Sequence, residues 1–142
     1  MTTSTSYGIR TIVPFGYADA VDRTKEALAG EGFGVLSEID VAATMKKKLD
    51  VDFRPYVILG ACNPPLAHRA LSAEPDIGLL LPCNVVVYAD EVPGRSVVAA
   101  MDPVEALKLT GNAEIAPIAS DVRARLVRVL AAVERETPAV VK

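Results

Sequence analysis

The chain has 142 residues, of which 51% are hydrophobic and 23% charged. That mixture excludes a disordered chain and an integral membrane protein, and the length fits one globular domain. Fifteen Lys and Arg against eighteen Asp and Glu leave a net charge of −3, so no general attraction draws the protein to nucleic acid or to an anionic membrane.

The opening Met1–Ser6 is rich in Thr and Ser, lacks a basic residue and is followed by no apolar stretch of signal length, so it reads as a loose polar lead-in to a cytoplasmic protein. Gly8–Val13 alternates and is β-branched, which predicts a first strand closed by Pro14 and Gly16. Tyr17, Val21, Thr24 and Leu28 then fall on one stripe of a helix that ends near Gly30 and Gly32. Phe33–Ile39 is a second strand, and Asp40 stands where the N-cap of a short helix belongs. Val41, Met45 and Leu49 line one side of that helix. Lys46, Lys47 and Lys48 crowd its C-terminal end, where positive charge suits the macrodipole and the run reads as a solvated face rather than an anion site.

Tyr56–Cys62 is an almost unbroken apolar run, as expected of a strand covered on both faces or one in the middle of a sheet. Asn63-Pro64-Pro65 opens a helix through Leu66, His68 and Leu71 that Pro75 stops, with Asn63 suited to the N-cap and proline tolerated in the first turn. Leu79–Ala89 is further β structure, interrupted at Pro82 by a bulge or a strand start. Val92-Pro93-Gly94-Arg95 has the residues of a type II turn, so Val85–Asp90 and Ser96–Met101 should pair as an antiparallel hairpin. Asp102-Pro103 repeats the cap-then-proline start of a helix reaching about Thr110. Val122, Leu126, Val129, Leu130 and Val133 mark a last amphipathic helix to about Glu136. With no repeat and no linker, residues 6–136 form one α/β domain, and 1–5 and 137–142 are expected to be flexible termini.

Reactive side chains are few. There is no Walker loop, no His-Glu-x-x-His, no Gly-x-Ser-x-Gly and no Cys-x-x-Cys. Cys62 ends a buried strand at a helix start, a position where a helix N-terminus can lower a thiol pKa. Against that, Pro64 and Pro65 remove two of the N–H groups that would stabilise a thiolate, and Asn63 engages another. Cys83-Asn84 echoes Cys62-Asn63. If the two strands are neighbours, both thiols and His68 can meet at one pole of the sheet, where Cys62, His68 and Cys83 would be possible zinc ligands with an open fourth position. Ordinary core packing of the two cysteines is the simpler reading.

Three strings carry a resemblance: Glu38-Ile39-Asp40-Val41 with Thr44 and Lys46, then Tyr56–Pro64, then Ile77–Tyr88. In order and spacing these resemble the DUF302 family, over nearly the whole chain. The resemblance implies a compact two-layer α/β (α+β) domain with a mixed β-sheet and helices packed on it. It also implies a homodimer, and no established reaction or cofactor. Lys46, Cys62, Asn63, Pro64, Cys83 and Asn84 are the positions that line up.

The leading expectation is a dimeric domain that binds a small molecule or partner beside Cys62 and Cys83, with Lys46, Asn63 and Asn84 as further contacts. Strand ends next to helix starts are where α/β proteins bind ligands. One alternative is a thiol-dependent or redox enzyme using Cys62, assisted by His68 or Lys46. The other is a purely structural oligomerisation module.

Overall fold

The structure, a computed structural model, describes residues 1–135. In chain order its elements are β1 (Thr3–Ser4), β2 (Gly8–Val13), α1 (Tyr17–Gly30), β3 (Gly34–Asp40), α2 (Val41–Leu49), β4 (Tyr56–Cys62), α3 (Pro64–Ala73), β5 (Cys83–Ala89), β6 (Ser96–Met101), α4 (Pro103–Leu107) and α5 (Ile115–Arg135). Short 3₁₀ turns occupy Pro75–Leu80 and Lys108–Thr110. The expected end of the last helix at Glu136 and the flexible tail 137–142 lie outside the described residues.

Six strands form one sheet in the order β1-β2-β6-β5-β4-β3. Every pairing is antiparallel, so the two-layer α/β class holds while the sheet is not mixed. The reason is the β5–β6 hairpin. β2 and β3 run parallel and are joined by a helical crossover, the arrangement that suggests a mixed sheet, but β4 and the hairpin fill the space between them. Arg95 N–H closes the hairpin turn on Val92 C=O at 3.3 Å, with Gly94 at φ +81°, where a side chain would be strained.

Alternation along the strands separates two faces. One row of cross-strand neighbours runs Ile9–Ala100–Val85–Leu59 and the next Thr11–Val98–Val87–Val57, all buried beneath the helices. α5 closes this core with Ile115, Ile118, Val122, Leu126, Val129 and Val133, spaced three or four residues apart, and α1 adds Leu28. Burial of each large aliphatic side chain contributes about 1.5–3 kcal/mol. The other face carries Arg10, Ile58, Asn84, Val86 and Tyr88, which are half-buried or exposed.

Caps set the helix starts. Asp40 Oδ1 accepts from Ala43 N–H, Asn63 Oδ1 from Leu66 N–H and Asp102 Oδ1 from Val104 N–H. Three local expectations change. Thr3 and Ser4 pair with Arg10 and Ile9, so part of the lead-in is strand. Leu79 and Leu80 close a 3₁₀ turn rather than starting β5, because the chain from Pro75 turns tightly until Pro82 releases it into the sheet. Helix α2 leaves Leu49 exposed and buries none of its residues fully, so its apolar stripe only borders the sheet.

Candidate functional site

The site is built where β4 ends and β5 begins. Ala61 pairs with Cys83 across these strands, and the next residue of β4, Cys62, hands the chain to α3. Cys83 stands on the helix-covered face. Cys62, at the strand terminus, is half-buried beside it. Both line one hollow of about 240 Å³. Its floor and walls come from Leu66 and Ala70 on α3, Leu107 on α4, and Ile118 and Val122 on α5, while Leu36 and Leu71, 70% and 41% exposed, stand at its rim.

The polarity of this hollow decides its chemistry. Among its side chains only the two thiols and the Asn63 amide are polar, and Asn63 Oδ1 already accepts the Leu66 N–H at 3.3 Å to cap α3. Pro64 and Pro65 occupy the first helical positions, so the helix start offers few free N–H groups toward a thiolate. Burial, with a smaller contribution from Cys62 nearby, pushes the Cys83 thiol from its ordinary 9.0 up to about 11. Cys83 is therefore a neutral, apolar-type wall at physiological pH. Walls of this kind offer no charged partner to an ion.

The remaining residues singled out from the sequence lie elsewhere. His68 is exposed on another side of α3 and lines a separate shallow hollow with Arg69, Ser72 and Glu114. It is not among the residues around the thiols, and no three His, Cys, Asp or Glu side chains cluster as a metal would need among the described residues. Lys46 pairs with Asp50 at 3.2 Å and Asp52 at 3.5 Å on the outside of α2. Asn84 is exposed on the uncovered face of the sheet and borders a different hollow. Of the six candidate residues, then, Cys62, Asn63 and Cys83 share one cavity. The lining residues that the sequence did not single out are aliphatic. Their one sequence-level trace is the pair of small residues Ala67 and Ala70 on α3, which leave room on a face where larger side chains would fill it.

Fold and cavity together define a two-layer α/β domain with a six-stranded antiparallel sheet and a small apolar hollow at one rim. The family described as domain of unknown function DUF302 matches residues 9–133, and the chain belongs to it. It is also similar to the crystal structure of an uncharacterised conserved DUF302 protein from Bacillus stearothermophilus. Their sequences are 31% identical and the TM-score is 0.82, with 90% of this chain and 98% of that one covered. No curated protein matches the chain. No helix of the described residues is long and apolar enough to cross a membrane.

Proposed function

We propose that this domain binds a small apolar molecule, carrying at most one polar end, in the hollow walled by Cys62 and Cys83. The observation that supports this reading is the hollow itself: about 240 Å³, walled by aliphatic side chains and two thiols and open at its rim, with no Asp, Glu, Lys, Arg or His among its lining residues. An apolar cavity of about 150 Å³ suffices for benzene, and drug-sized ligands need roughly 300 Å³ or more. The space therefore suits a substituted benzene or a short acyl chain. Cys62 and Asn63 supply the polar edge that would orient such a ligand, and Leu36 and Leu71 form a greasy entrance.

The test is a titration of the ¹⁵N-labelled protein with p-cresol, followed by amide shifts. Saturable shifts confined to Ala61–Leu71, Leu81–Cys83 and Ile118–Val122 are expected, and Ala67→Phe, which fills the cavity, should abolish them. Shifts scattered over the surface, or unaltered by Ala67→Phe, refute the reading. The competing thiol reading makes a separate demand: alkylation of Cys62 in a Cys83→Ala background must level off below about pH 7, well under the range of an unperturbed thiol.

The protein works, in this proposal, as a cytoplasmic homodimer. Both cysteines are free, as suits a reducing compartment. Leu36, Ile39, Leu49, Val51 and Phe53 are all 44–70% exposed along or beside the β3 edge of the sheet, a concentration that favours self-association there. Sedimentation should give a dimer that Ile39→Lys converts to monomer, whereas a monomeric wild type contradicts this part.

A further inference from the structure

The face of the sheet opposite the helices holds a second hollow, of about 490 Å³, unrelated to the thiol cavity. Register explains its composition. Arg10 on β2 pairs with Ala99 on β6, which pairs with Val86 on β5, giving a flat apolar floor flanked by a guanidinium. Along β5, Val86 has Asn84 on one side and Tyr88 on the other, all three on the same face. Tyr88 pairs with Tyr56 of β4, and their rings stack at 5.1 Å with an interplanar angle of 4°.

Its charge is the informative part. The Arg10 Nη2 donates to the Tyr88 hydroxyl at 3.3 Å, and Arg54 lies over the Tyr88 ring at 5.7 Å from its centroid. Neither guanidinium has a carboxylate within 4.0 Å among the described residues, although the chain as a whole carries a net charge of −3. Toward the described residues Arg10 thus uses one of its five donors. The Asn84 amide makes no hydrogen bond with any described residue. Burial, and the phenols of Tyr88 and Tyr7 beside it, hold Tyr56 above its ordinary value of 10.0, so its phenol stays neutral.

We propose that this uncovered face is a second binding site, for a small planar organic carboxylate. Its flat body lies on Val86 and Ala99 against the Tyr56–Tyr88 stack, and its anionic end is taken by Arg10 and Asn84. A guanidinium offers two parallel donors to a carboxylate, and an aromatic face beside it suits a conjugated body. Charge argues against a second copy of the chain as the occupant, because a two-fold contact presents the same patch to itself and would bring the arginine-bearing surfaces together.

Calorimetric titration of the full chain with 2-naphthoate, with neutral 2-naphthol as its companion, tests the proposal. The anion should bind about tenfold tighter, the difference expected of a charge-assisted hydrogen bond, and the gap should narrow as salt is added. Arg10→Gln should erase the preference and leave 2-naphthol binding unchanged. Asn84→Ala, at an exposed side chain without a hydrogen-bond partner among the described residues, should narrow the preference while leaving the fold intact. Three results would overturn the proposal: equal affinity for the two probes in the wild type, a preference that survives both variants, or a dimer that Tyr88→Glu dissociates, which would assign the face to a second copy.

Discussion

Cys83 gives the most quantitative test of the cavity's character. Its thiol lies on the helix-covered face with 6% of its surface exposed, and burial raises it from 9.0 to about 11. The fold therefore favours the protonated form. Below about pH 9 the thiol is protonated in folded and unfolded chains alike and its contribution is fully present. Between 9 and 11 the unfolded chain releases the proton while the folded chain keeps it, so stability falls as pH rises. The full difference corresponds to about 2.7 kcal/mol, and about half of it, roughly 1.4 kcal/mol, is lost by pH 10. Because tyrosines and lysines titrate in the same range, the effect is read as a difference between Cys62→Ala and the double variant Cys62→Ala/Cys83→Ala. Urea unfolding of both at pH 7.5 and pH 10 should show the single variant losing up to about 1.4 kcal/mol more than the double, the part of the shift due to Cys62 being absent from both. Parallel losses in the two proteins, or native-state alkylation of Cys83 with a midpoint at or below pH 9, would show that the sulfur faces water and that the cavity is not dry.

Other consequences are structural. A β-carbon on Gly60 would fall onto Ser37 Oγ and within 2.9 Å of Pro82 Cγ, so Gly60→Ala should cost about 1–3 kcal/mol in urea unfolding, partly recovered in a Ser37→Ala background. Asp102 is buried, caps α4 through Val104 N–H at 3.0 Å and pairs with Arg123 Nε at 3.0 Å. Asp102→Ala should therefore destabilise by about 2–3 kcal/mol in the same assay, since it removes a cap and a charge-assisted bond together. Lys46 sits in an exposed pair, so Lys46→Ala should change stability by less than about 1 kcal/mol and leave p-cresol binding unaltered, as tracked by amide shifts.

Much of the fold was legible from local chemistry. Proline and glycine at Pro93-Gly94 specify the hairpin turn, and Asp40, Asn63 and Asp102 mark three helix starts by capping that the structure shows bond for bond. The alternation of Ile9, Thr11 and Val13 identifies their buried face. What local reasoning missed depends on contacts distant in sequence. The insertion of β4, β5 and β6 between β2 and β3 makes the sheet antiparallel, and no window of neighbouring residues contains that information. The leucines at Leu79 and Leu80 have strand-like hydropathy, but the tight turn from Pro75 to Leu80 overrides it.

The candidate site was legible in part. That Cys62 and Cys83 share one cavity was legible only on the condition that their strands be neighbours; they meet because Cys83 begins β5 where its antiparallel partner β4 ends at Cys62. The placement of His68 turned on rotation within α3. Six positions beyond Cys62, it projects from an exposed side of the helix, while Leu66 and Ala70 face the hollow. Asn84 separated from Cys83 through the two-residue period of the strand, which sends neighbours to opposite faces. The aliphatic lining from α5 is indistinguishable in sequence from ordinary core.

The most direct measurement of the central claim is a crystal of the protein soaked in iodobenzene, with anomalous diffraction recorded for iodine. A single strong peak among Leu66, Cys83 and Ile118, absent from crystals of Ala67→Phe, is the result this account predicts. An unoccupied hollow beside fully ordered Cys62 and Cys83, or iodine bound only on the outer surface, would contradict it.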